Sequence, residues 1–272
     1  MNTKPENNKD NNQIEQIEKK VKIQKPKKAD FRMHAHVNPL NETLFPYPLN
    51  YNQVDWSLHY PKKFGKDPLK LYLNTLEYPI TYDDQVNSEC SQSIVDFLDI
   101  GCGFGGLCFA LGENYPDKYT FGMEIRGKVV NFVGEKIRAL RNEGQAHNVS
   151  VIRTNTMRHL PQYFRKNSLE KIFICFPDPH FKKKNYRRRI VNPGLLSEYA
   201  YLLKSNGRIY CITDVEELHN WHVQHLEKHK MFKRVQDVEQ DSAAKLIWNS
   251  TEEGQKVERN KGSKFIIVCE KV

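Results

Sequence analysis

The sequence predicts an α/β fold in which a mostly parallel sheet carries helices on both faces. From about residue 93 onward, short apolar runs alternate with segments whose apolar residues recur at helical spacing. The first apolar run ends in a cluster of glycines, as a strand does where it turns into a helix. Such alternation of strands and helices places a ligand cleft at the carboxyl ends of the strands.

Six strands are predicted from apolar runs bounded by turn residues. In chain order they are SIVDFLDIG, KYTFGMEI, NVSVIRT, LEKIFICF, GRIYCITD and KFIIVCEKV. Helices are predicted between them in GLCFALGENYP, GKVVNFVGEKIRALRNEG, NPGLLSEYAYLLKSNG and TDVEELHNWHVQHLEKH. Thr213 with Glu216, and Ser250 with Glu253, have the spacing of capping boxes, so we expect a helix to begin at each place.

The N-terminal third of the chain differs in composition from the rest. Residues 1–30 contain no aromatic side chain and are rich in Asn, Lys, Gln and Glu, which predicts a disordered basic tail. Its run KKVKIQKPKK is typical of a nuclear import signal, a nonspecific RNA-binding arm or a solubilising tail. Residues 31–272 are expected to form one domain, with an N-terminal arm at 31–61. A variable insertion at 62–94 is expected to hold a short helix in DPLKLYLNTL.

Composition narrows the classes of function. The chain of 272 residues has 42 Lys and Arg against 33 Asp and Glu, and its net charge of +9 favours a polyanionic partner such as nucleic acid. No apolar run reaches the length that crosses a membrane, so no membrane association is expected. The six cysteines form no CxxC pair, which predicts small core residues in a reducing compartment and no disulfide or metal site.

The glycine-rich turn DIGCGFGG is the first candidate for a cofactor site. Its glycines, which let a backbone approach a ligand closely, are Gly101, Gly103, Gly105 and Gly106. Their spacing fits GxGxxG and GxGxG equally well, so the turn alone does not separate NAD from S-adenosylmethionine. Glu124 ends the next strand, where an acid accepts hydrogen bonds from the ribose hydroxyls of either cofactor. Asp99, just before the turn, favours a methyltransferase by analogy with that broad fold class.

The stretch FPDPHFKKKNYRRR is the second candidate for a functional site. Asp178 lies between Pro177 and Pro179, whose rings restrict the backbone around its carboxylate. Six basic residues follow, Lys182, Lys183, Lys184, Arg187, Arg188 and Arg189. A solvated surface is the ordinary explanation of such a charge run. Because this run directly follows a strand end, we expect it to line the rim of the cleft and to bind RNA phosphates.

Several motifs occur in one order along the chain, namely DIGCGFGG, GMEIR, TNTMRHLP, FPDPHFKKKNYRRRIVNPGLLSEYAYLLKSNGRIYCITDVEELHNW and STEEGQKV. Together they resemble the tRNA (guanine-N7-)-methyltransferases, and AHVNPL and VDWSLHYP resemble the eukaryotic branch of that family. The resemblance covers residues from about 33 to 268 outside the insertion. It implies a Rossmann-like fold of the class I S-adenosylmethionine-dependent methyltransferases, with a mostly parallel seven-stranded sheet.

The resemblance also implies roles for individual residues. Asp178 is implied as the catalytic residue, and Thr251 and Glu253 as residues that close the site. The residues implied to bind S-adenosylmethionine are Gly101, Gly103, Glu124, Arg126, Asn155, Thr156 and Cys175. For Arg126, an ion pair with Glu124 is an equally good interpretation. Thr156 and Tyr186 depart from the family, which often has Ala and His at these positions.

The same resemblance implies a reaction and a setting. The target is the guanine at position 46 in the variable loop of tRNA, and the product is 7-methylguanosine. The implied partners are tRNA and a noncatalytic WD-repeat subunit, and the implied location is the nucleus.

Two other classes of protein share parts of this pattern. An NAD-dependent oxidoreductase would need a Tyr-x-x-x-Lys pair beside the cleft, and Tyr199 and Lys204 are one position too far apart. A noncatalytic RNA-binding protein on the same scaffold predicts loss of the glycine turn or of Asp178, and both are present.

Overall fold

The structure, a computed structural model, describes residues 23–33, 37–41, 45–75 and 86–272. Most of the predicted disordered tail, residues 1–22, lies outside these ranges. None of the helices within them is long and apolar enough to cross a bilayer.

A seven-stranded sheet forms the centre of the domain. The strands are β1 Phe97–Ile100, β2 Thr120–Glu124, β3 Val149–Arg153, β4 Leu169–Cys175, β5 Leu203–Thr213, β6 Phe232–Arg234 and β7 Phe265–Lys271. Their order across the sheet is β3-β2-β1-β4-β5-β7-β6. The first five pair in parallel, and β7 is antiparallel to both β5 and β6. The predicted mostly parallel, seven-stranded sheet is therefore confirmed, with β6 as the strand that no apolar run indicated.

Helices cover both faces of the sheet, as predicted. They are α1 Ser88–Ser91, α2 Gly106–Asn114, α3 Gly127–Asn142, α4 Thr156–Tyr163, α5 Pro193–Leu202, α6 Glu216–Lys228, α7 Ser242–Ser250 and α8 Glu252–Arg259. Alternate residues of each strand face opposite sides. Leu98 of β1 packs in one core cluster with side chains of α4, α5 and α6. Its neighbour Phe97 packs in another cluster with side chains of α2 and α7.

The N-terminal arm packs into the first of these cores through aromatic side chains. Trp56 and Tyr60 are fully buried, and the Trp56 ring lies 5.3 Å from that of Phe121 on β2. Tyr60 Oη donates a hydrogen bond of 2.9 Å to the backbone O of Thr120. The only regular structure in the described part of the arm consists of short 3-10 turns, so side-chain burial holds it against the domain.

The structure corrects two expectations for the N-terminal third. The helix predicted in DPLKLYLNTL does not form over residues 67–75, because Leu71 and Leu73 alternate as in an extended chain and both pack against α3. The boundary predicted for the disordered tail, at residue 30, lies too far along the chain, since residues 23–30 are described and Lys28–Phe31 forms a 3-10 helix. The Phe31 ring meets Phe132 of α3 edge-on at 5.7 Å.

Neither predicted capping box forms as expected. Thr213 Oγ1 accepts a hydrogen bond from the backbone N of Val215, and α6 begins after Val215 without a side-chain cap. Helix α8 is capped by Thr251, whose Oγ1 accepts from the backbone N of Gly254 at 3.1 Å. Ser250 instead ends the preceding helix α7, which the sequence did not predict.

Candidate active site

A cleft lies at the carboxyl ends of β1, β2 and β4, where the parallel sheet predicts it. Its walls include the ends of these strands, the first residues of α4 and the loop after β4. Val37 and Pro39 of the N-terminal arm also line the cleft. These two apolar residues were not predicted as site residues, and the sequence signal that marks them is the AHVNPL motif in which they lie.

The glycine turn between β1 and α2 has the conformation that requires glycine. Gly101, Gly103 and Gly105 have φ of 73°, 54° and 77°, values that L side chains rarely adopt. At Gly106 glycine is required for a different reason, because a Cβ there would lie 2.6 Å from the backbone O of Ser250. Gly101 lines the cleft, and the turn therefore brings bare backbone to the place where a ligand binds.

Glu124 and Arg126, which both line the cleft, form an ion pair in which the acid is buried and the arginine is partly exposed. Glu124 is 4% exposed, and its two oxygens accept from Arg126 Nε at 3.0 Å and Arg126 Nη2 at 2.9 Å. The backbone N of Gly103 also donates to Glu124, at 3.1 Å. Burial opposes the charge of Arg126, but its hydrogen bonds to Glu124 and the nearby charge of Asp178 raise its pKa. The ion-pair interpretation of Arg126 is thus realised, in a residue that also lines the cleft.

Three more predicted cofactor residues line the same cleft. Asn155 caps α4 by accepting from the backbone N of Met157 at 3.1 Å, and its Nδ2 donates to Pro39 O at 2.7 Å. Thr156, at the start of α4, directs its hydroxyl to the Met123 sulfur at 3.7 Å. Cys175 ends β4, and burial raises the pKa of its thiol, which therefore stays protonated.

Asp178 lies in the cleft on a loop with strained backbone. The loop runs from the end of β4 to the start of α5, and Phe176 N donates to Ile212 O of β5 at 2.8 Å. Phe176 and His180, on either side of the Pro-Asp-Pro unit, have φ of 49° and 47°. Non-glycine residues adopt such values only where surrounding contacts impose them. The rigidity that the prolines predicted is therefore reinforced by the fold.

The six basic residues after Asp178 divide into three groups. Lys182, Lys183, Lys184 and Arg187 are exposed, as expected for residues that bind a polyanion. Arg188 lines the cleft, and its Nε is buried without a hydrogen-bond partner among the described residues. Arg189 is 2% exposed and pairs with Glu217 at 2.7 Å. The prediction that Arg189 binds RNA is wrong, because its guanidinium is enclosed by the protein.

The two residues expected to close the site lie outside the cleft lining. Thr251 is buried and serves as the cap of α8. Glu253 is exposed and pairs with Lys256 at 3.2 Å, one turn further along the same helix. Its neighbour Glu252 is the acid that approaches the glycine turn, and it pairs with Lys28 at 3.0 Å.

Asp99 does not line the cleft, although it precedes the glycine turn. It is 2% exposed and accepts a hydrogen bond of 3.3 Å from the Cys108 thiol. Burial is the main cause that raises its pKa to about 7. The oxidoreductase alternative also finds no support, because Tyr199 donates to Ile190 O and Lys204 pairs with Glu170.

Comparisons with known proteins agree with this architecture. A family model described as a putative methyltransferase matches residues 93–267. The chain is 43% identical to a tRNA (guanine-N(7)-)-methyltransferase from Debaryomyces hansenii, over 92% of this chain and 84% of that protein. It is 44% identical to the protein of the same name from Aedes aegypti, over 91% of each chain. The protein of that name from Arabidopsis thaliana is 45% identical, over 91% of this chain and 92% of its own.

The family model spans more than half of the chain, and each of these relatives is matched over most of its own length. The resemblance read from the motifs is thereby confirmed, as are the enzyme class and the cofactor that it implied. The chain belongs to the tRNA (guanine-N(7)-)-methyltransferase family, whose members are S-adenosylmethionine-dependent enzymes.

Proposed function

We propose that this protein transfers the methyl group of S-adenosylmethionine to N7 of guanine 46 in the variable loop of tRNA, forming 7-methylguanosine. The observation that carries the proposal is that the cleft holds Glu124 at the end of β2 and Asp178 after β4. The Glu124 carboxylate is suited to bind the ribose of a nucleoside cofactor, and the Asp178 carboxylate is suited to bind the base that is methylated. The names of the relatives support the class of substrate.

The residues of the cleft fit S-adenosylmethionine. The left-handed turn at Gly101 leaves backbone open to the ligand, and Glu124 is placed to accept hydrogen bonds from ribose hydroxyls. Thr156 and Met157 lie at the N-terminus of α4, where an adenine edge would find both polar and apolar contacts. When bound, S-adenosylmethionine would supply an electrophilic methyl group on a sulfonium, and S-adenosylhomocysteine would be the thioether left after transfer.

The chemistry at guanine N7 needs positioning more than acid–base catalysis. N7 has an in-plane lone pair and no proton, so no general base has to remove one. The protein contributes by holding N7 in line with the methyl group and by excluding water. Methylation leaves positive charge on the purine, and the Asp178 carboxylate would stabilise that charge as it develops. The same carboxylate would accept from guanine N1–H and the exocyclic amine, which selects guanine over adenine.

The exposed basic residues beside the cleft suit the tRNA backbone. Lys182, Lys183, Lys184 and Arg187 are exposed on the loop that carries Asp178, so phosphates near the target guanosine come within their reach. Arg188 lies within the cleft, and its Nε has no hydrogen-bond partner in the described part of the chain, so it is suited to a phosphate close to the base itself.

Two parts of the proposal rest on the family resemblance alone. The first is a noncatalytic WD-repeat subunit as partner, and the second is residence in the nucleus. Affinity purification from the native source tests the partner, and fluorescence imaging of the tagged full chain tests the location.

The primary experiment measures transfer of labelled methyl from S-adenosylmethionine to total tRNA, with nuclease mapping of the product. The protein is tested alone and with the WD-repeat subunit. Label in 7-methylguanosine of the variable loop is the expected result. Label at another nucleotide would show that the target is not guanine 46. If the protein binds the cofactor but transfers no label to tRNA under either condition, tRNA is not its substrate.

A further inference from the structure

Two adjacent arginines at the end of the basic run have different environments. Arg188 lines the cleft and is partly exposed, whereas Arg189 is 2% exposed. A guanidinium buried to this extent is tolerated only when the protein satisfies its donors and its charge. The role of Arg189 is therefore decided by what it contacts inside the fold.

Arg189 joins the loop after β4 to helix α6. Its Nε donates to the backbone O of Pro179 at 2.9 Å, and its Nη2 donates to Glu217 Oε1 at 2.7 Å. Glu217 lies in the first turn of α6. Tyr186 Oη, also on the loop, donates to the same Glu217 oxygen at 2.8 Å. A single carboxylate oxygen thus ties two points of the loop to the helix.

Aromatic rings complete the surroundings of this guanidinium. Its central carbon lies 3.7 Å from the ring centroid of Tyr186 and 4.7 Å from that of Trp221 on α6. The indole N–H of Trp221 donates to Val191 O at 2.7 Å, which holds the ring in place. Cation–π contacts are strongest where the cation is shielded from water, so the rings add to the ion pair.

The bond to Pro179 acts one residue away from the carboxylate in the cleft. Pro179 follows Asp178 directly, and the backbone is left-handed at Phe176 and at His180 on either side. Such a backbone relaxes unless contacts oppose it. The hydrogen bond from Arg189 to Pro179 O is a contact of this kind, and it anchors the second half of the strained segment to α6.

We propose that Arg189 and Glu217 are positioning residues that hold the carboxylate of Asp178 in its place in the cleft. We call this pair the Arg189 clamp. The inference rests on the proposed role of Asp178 and extends it, because the clamp is directed to the loop and not to tRNA or cofactor. Without Glu217 the loop would retain fewer anchors, and Asp178 would spend less time in the orientation that catalysis needs.

The test compares Glu217→Ala with Glu216→Ala as a matched control. Both changes remove one exposed acid from the first turn of α6, so their general effect on the attraction of RNA is the same. We expect Glu217→Ala to lower kcat for tRNA about tenfold, with KM for tRNA and Kd for S-adenosylhomocysteine within about twofold. Glu217→Gln keeps an oxygen that accepts from Arg189, so it should recover most of the rate. Glu216→Ala should behave as the wild type does.

Hydrogen–deuterium exchange supplies a readout that needs no catalysis. Amides of residues 176–189 should exchange several-fold faster in Glu217→Ala and at the wild-type rate in Glu216→Ala. Faster exchange, in an enzyme whose wild type methylates no tRNA, would support the clamp while overturning the proposed function. If the wild-type enzyme is active, the clamp requires that Glu217→Ala both lowers kcat and speeds exchange. A change in only one of the two quantities, or in neither, would overturn the clamp.

Discussion

Arg126 occupies both carboxylate oxygens of Glu124, through Nε at 3.0 Å and Nη2 at 2.9 Å. The backbone N of Arg126 adds a third bond to Glu124, at 2.9 Å. Ribose hydroxyls that bind Glu124 must therefore share its oxygens with the guanidinium or displace it. These hydrogen bonds fix the position of the Glu124 side chain before the cofactor arrives, which lowers the reorganisation that binding requires.

Glu124→Gln tests this arrangement. The amide keeps the size of the side chain but has one acceptor oxygen and no charge, so we expect Kd for S-adenosylhomocysteine to rise about 10- to 100-fold. Isothermal titration calorimetry measures the change. The exposed Glu113 on α2 provides the control Glu113→Gln, which should leave Kd unaltered. An unchanged Kd in Glu124→Gln would remove this residue from the cofactor site.

The elements that position the site were predictable because each had a strong local signal. Strands β1, β2 and β4 are apolar runs, and the turn after β1 carries glycines at the positions where φ is positive. The elements that the sequence did not reveal had weak or conflicting signals. Helix α4 contains Pro161, a residue that normally argues against a helix, and β6 has only three residues.

The site residues whose roles were predicted incorrectly were missed for a different physical reason. Arg189 is one of several similar charges in a row, and its tertiary contacts distinguish it from Arg188, among them the ion pair with Glu217. Likewise, Glu252 and Glu253 are adjacent on α8, and the direction of the helix decides which of them approaches the glycine turn. Neighbouring residues of the same type therefore cannot be sorted by sequence spacing alone.

Asp178→Asn should abolish most of the transfer while leaving cofactor binding intact. The amide keeps the shape of the side chain but loses the negative charge that would balance the methylated purine, so the single-turnover rate should fall at least about 100-fold. Kd for S-adenosylhomocysteine should stay within about twofold. Asp117→Asn is the control, because this exposed residue precedes β2 and so lies at the amino ends of the parallel strands, away from the cleft. Normal turnover by Asp178→Asn would exclude a catalytic role for this carboxylate.

The exposed lysines beside the cleft should determine how tRNA binding depends on salt. The variant replaces Lys182, Lys183 and Lys184 by Ala. If each lysine contacts one phosphate, the slope of log K against log salt should decrease by about 2 to 3. Fluorescence anisotropy with labelled tRNA at several salt concentrations measures the slope.

A charge-matched control separates local contacts from net charge. It replaces three exposed lysines that lie at the end of α6 and in or just before the edge strand β6, namely Lys228, Lys230 and Lys233. This control should change the slope by less than about 1. Equal slopes for the two triple variants would show that the run beside the cleft acts only through its contribution to net charge.

Thr251→Ala should destabilise the protein, whereas Ser250→Ala should not. Thr251 Oγ1 accepts from Gly254 N at 3.1 Å, and loss of such a helix cap costs about 1 kcal/mol. Ser250 was the cap predicted from the sequence, but it ends α7, so its removal should cost no more than about 0.5 kcal/mol. Denaturant unfolding of the two variants side by side measures the difference. The opposite order of stabilities would restore the predicted capping box.

Acid should destabilise the fold through His222 on α6. His222 is 1% exposed, and neither ring nitrogen has a hydrogen-bond partner among the described residues. Burial, followed by the charges of His219, Arg189 and His225, lowers its pKa to about 3. The unfolded chain keeps the ordinary pKa of about 6.5, so below that pH it binds a proton that the folded chain does not. Stability therefore falls as the pH decreases from about 6.5 toward 3.

His222→Leu should remove this part of the acid sensitivity. With the pKa of His222 near 3 in the folded chain and near 6.5 in the unfolded chain, the wild type should lose roughly 2 kcal/mol of stability through this residue between pH 7 and pH 5. His222→Leu should not show this loss. Urea unfolding at the two pH values measures it. Leu218→Ala, a buried and non-titrating position on the same helix, should lower stability equally at both. If His222→Leu and the wild type lost the same stability on acidification, the imidazole would have to be protonated within the folded protein, with a partner for its charge.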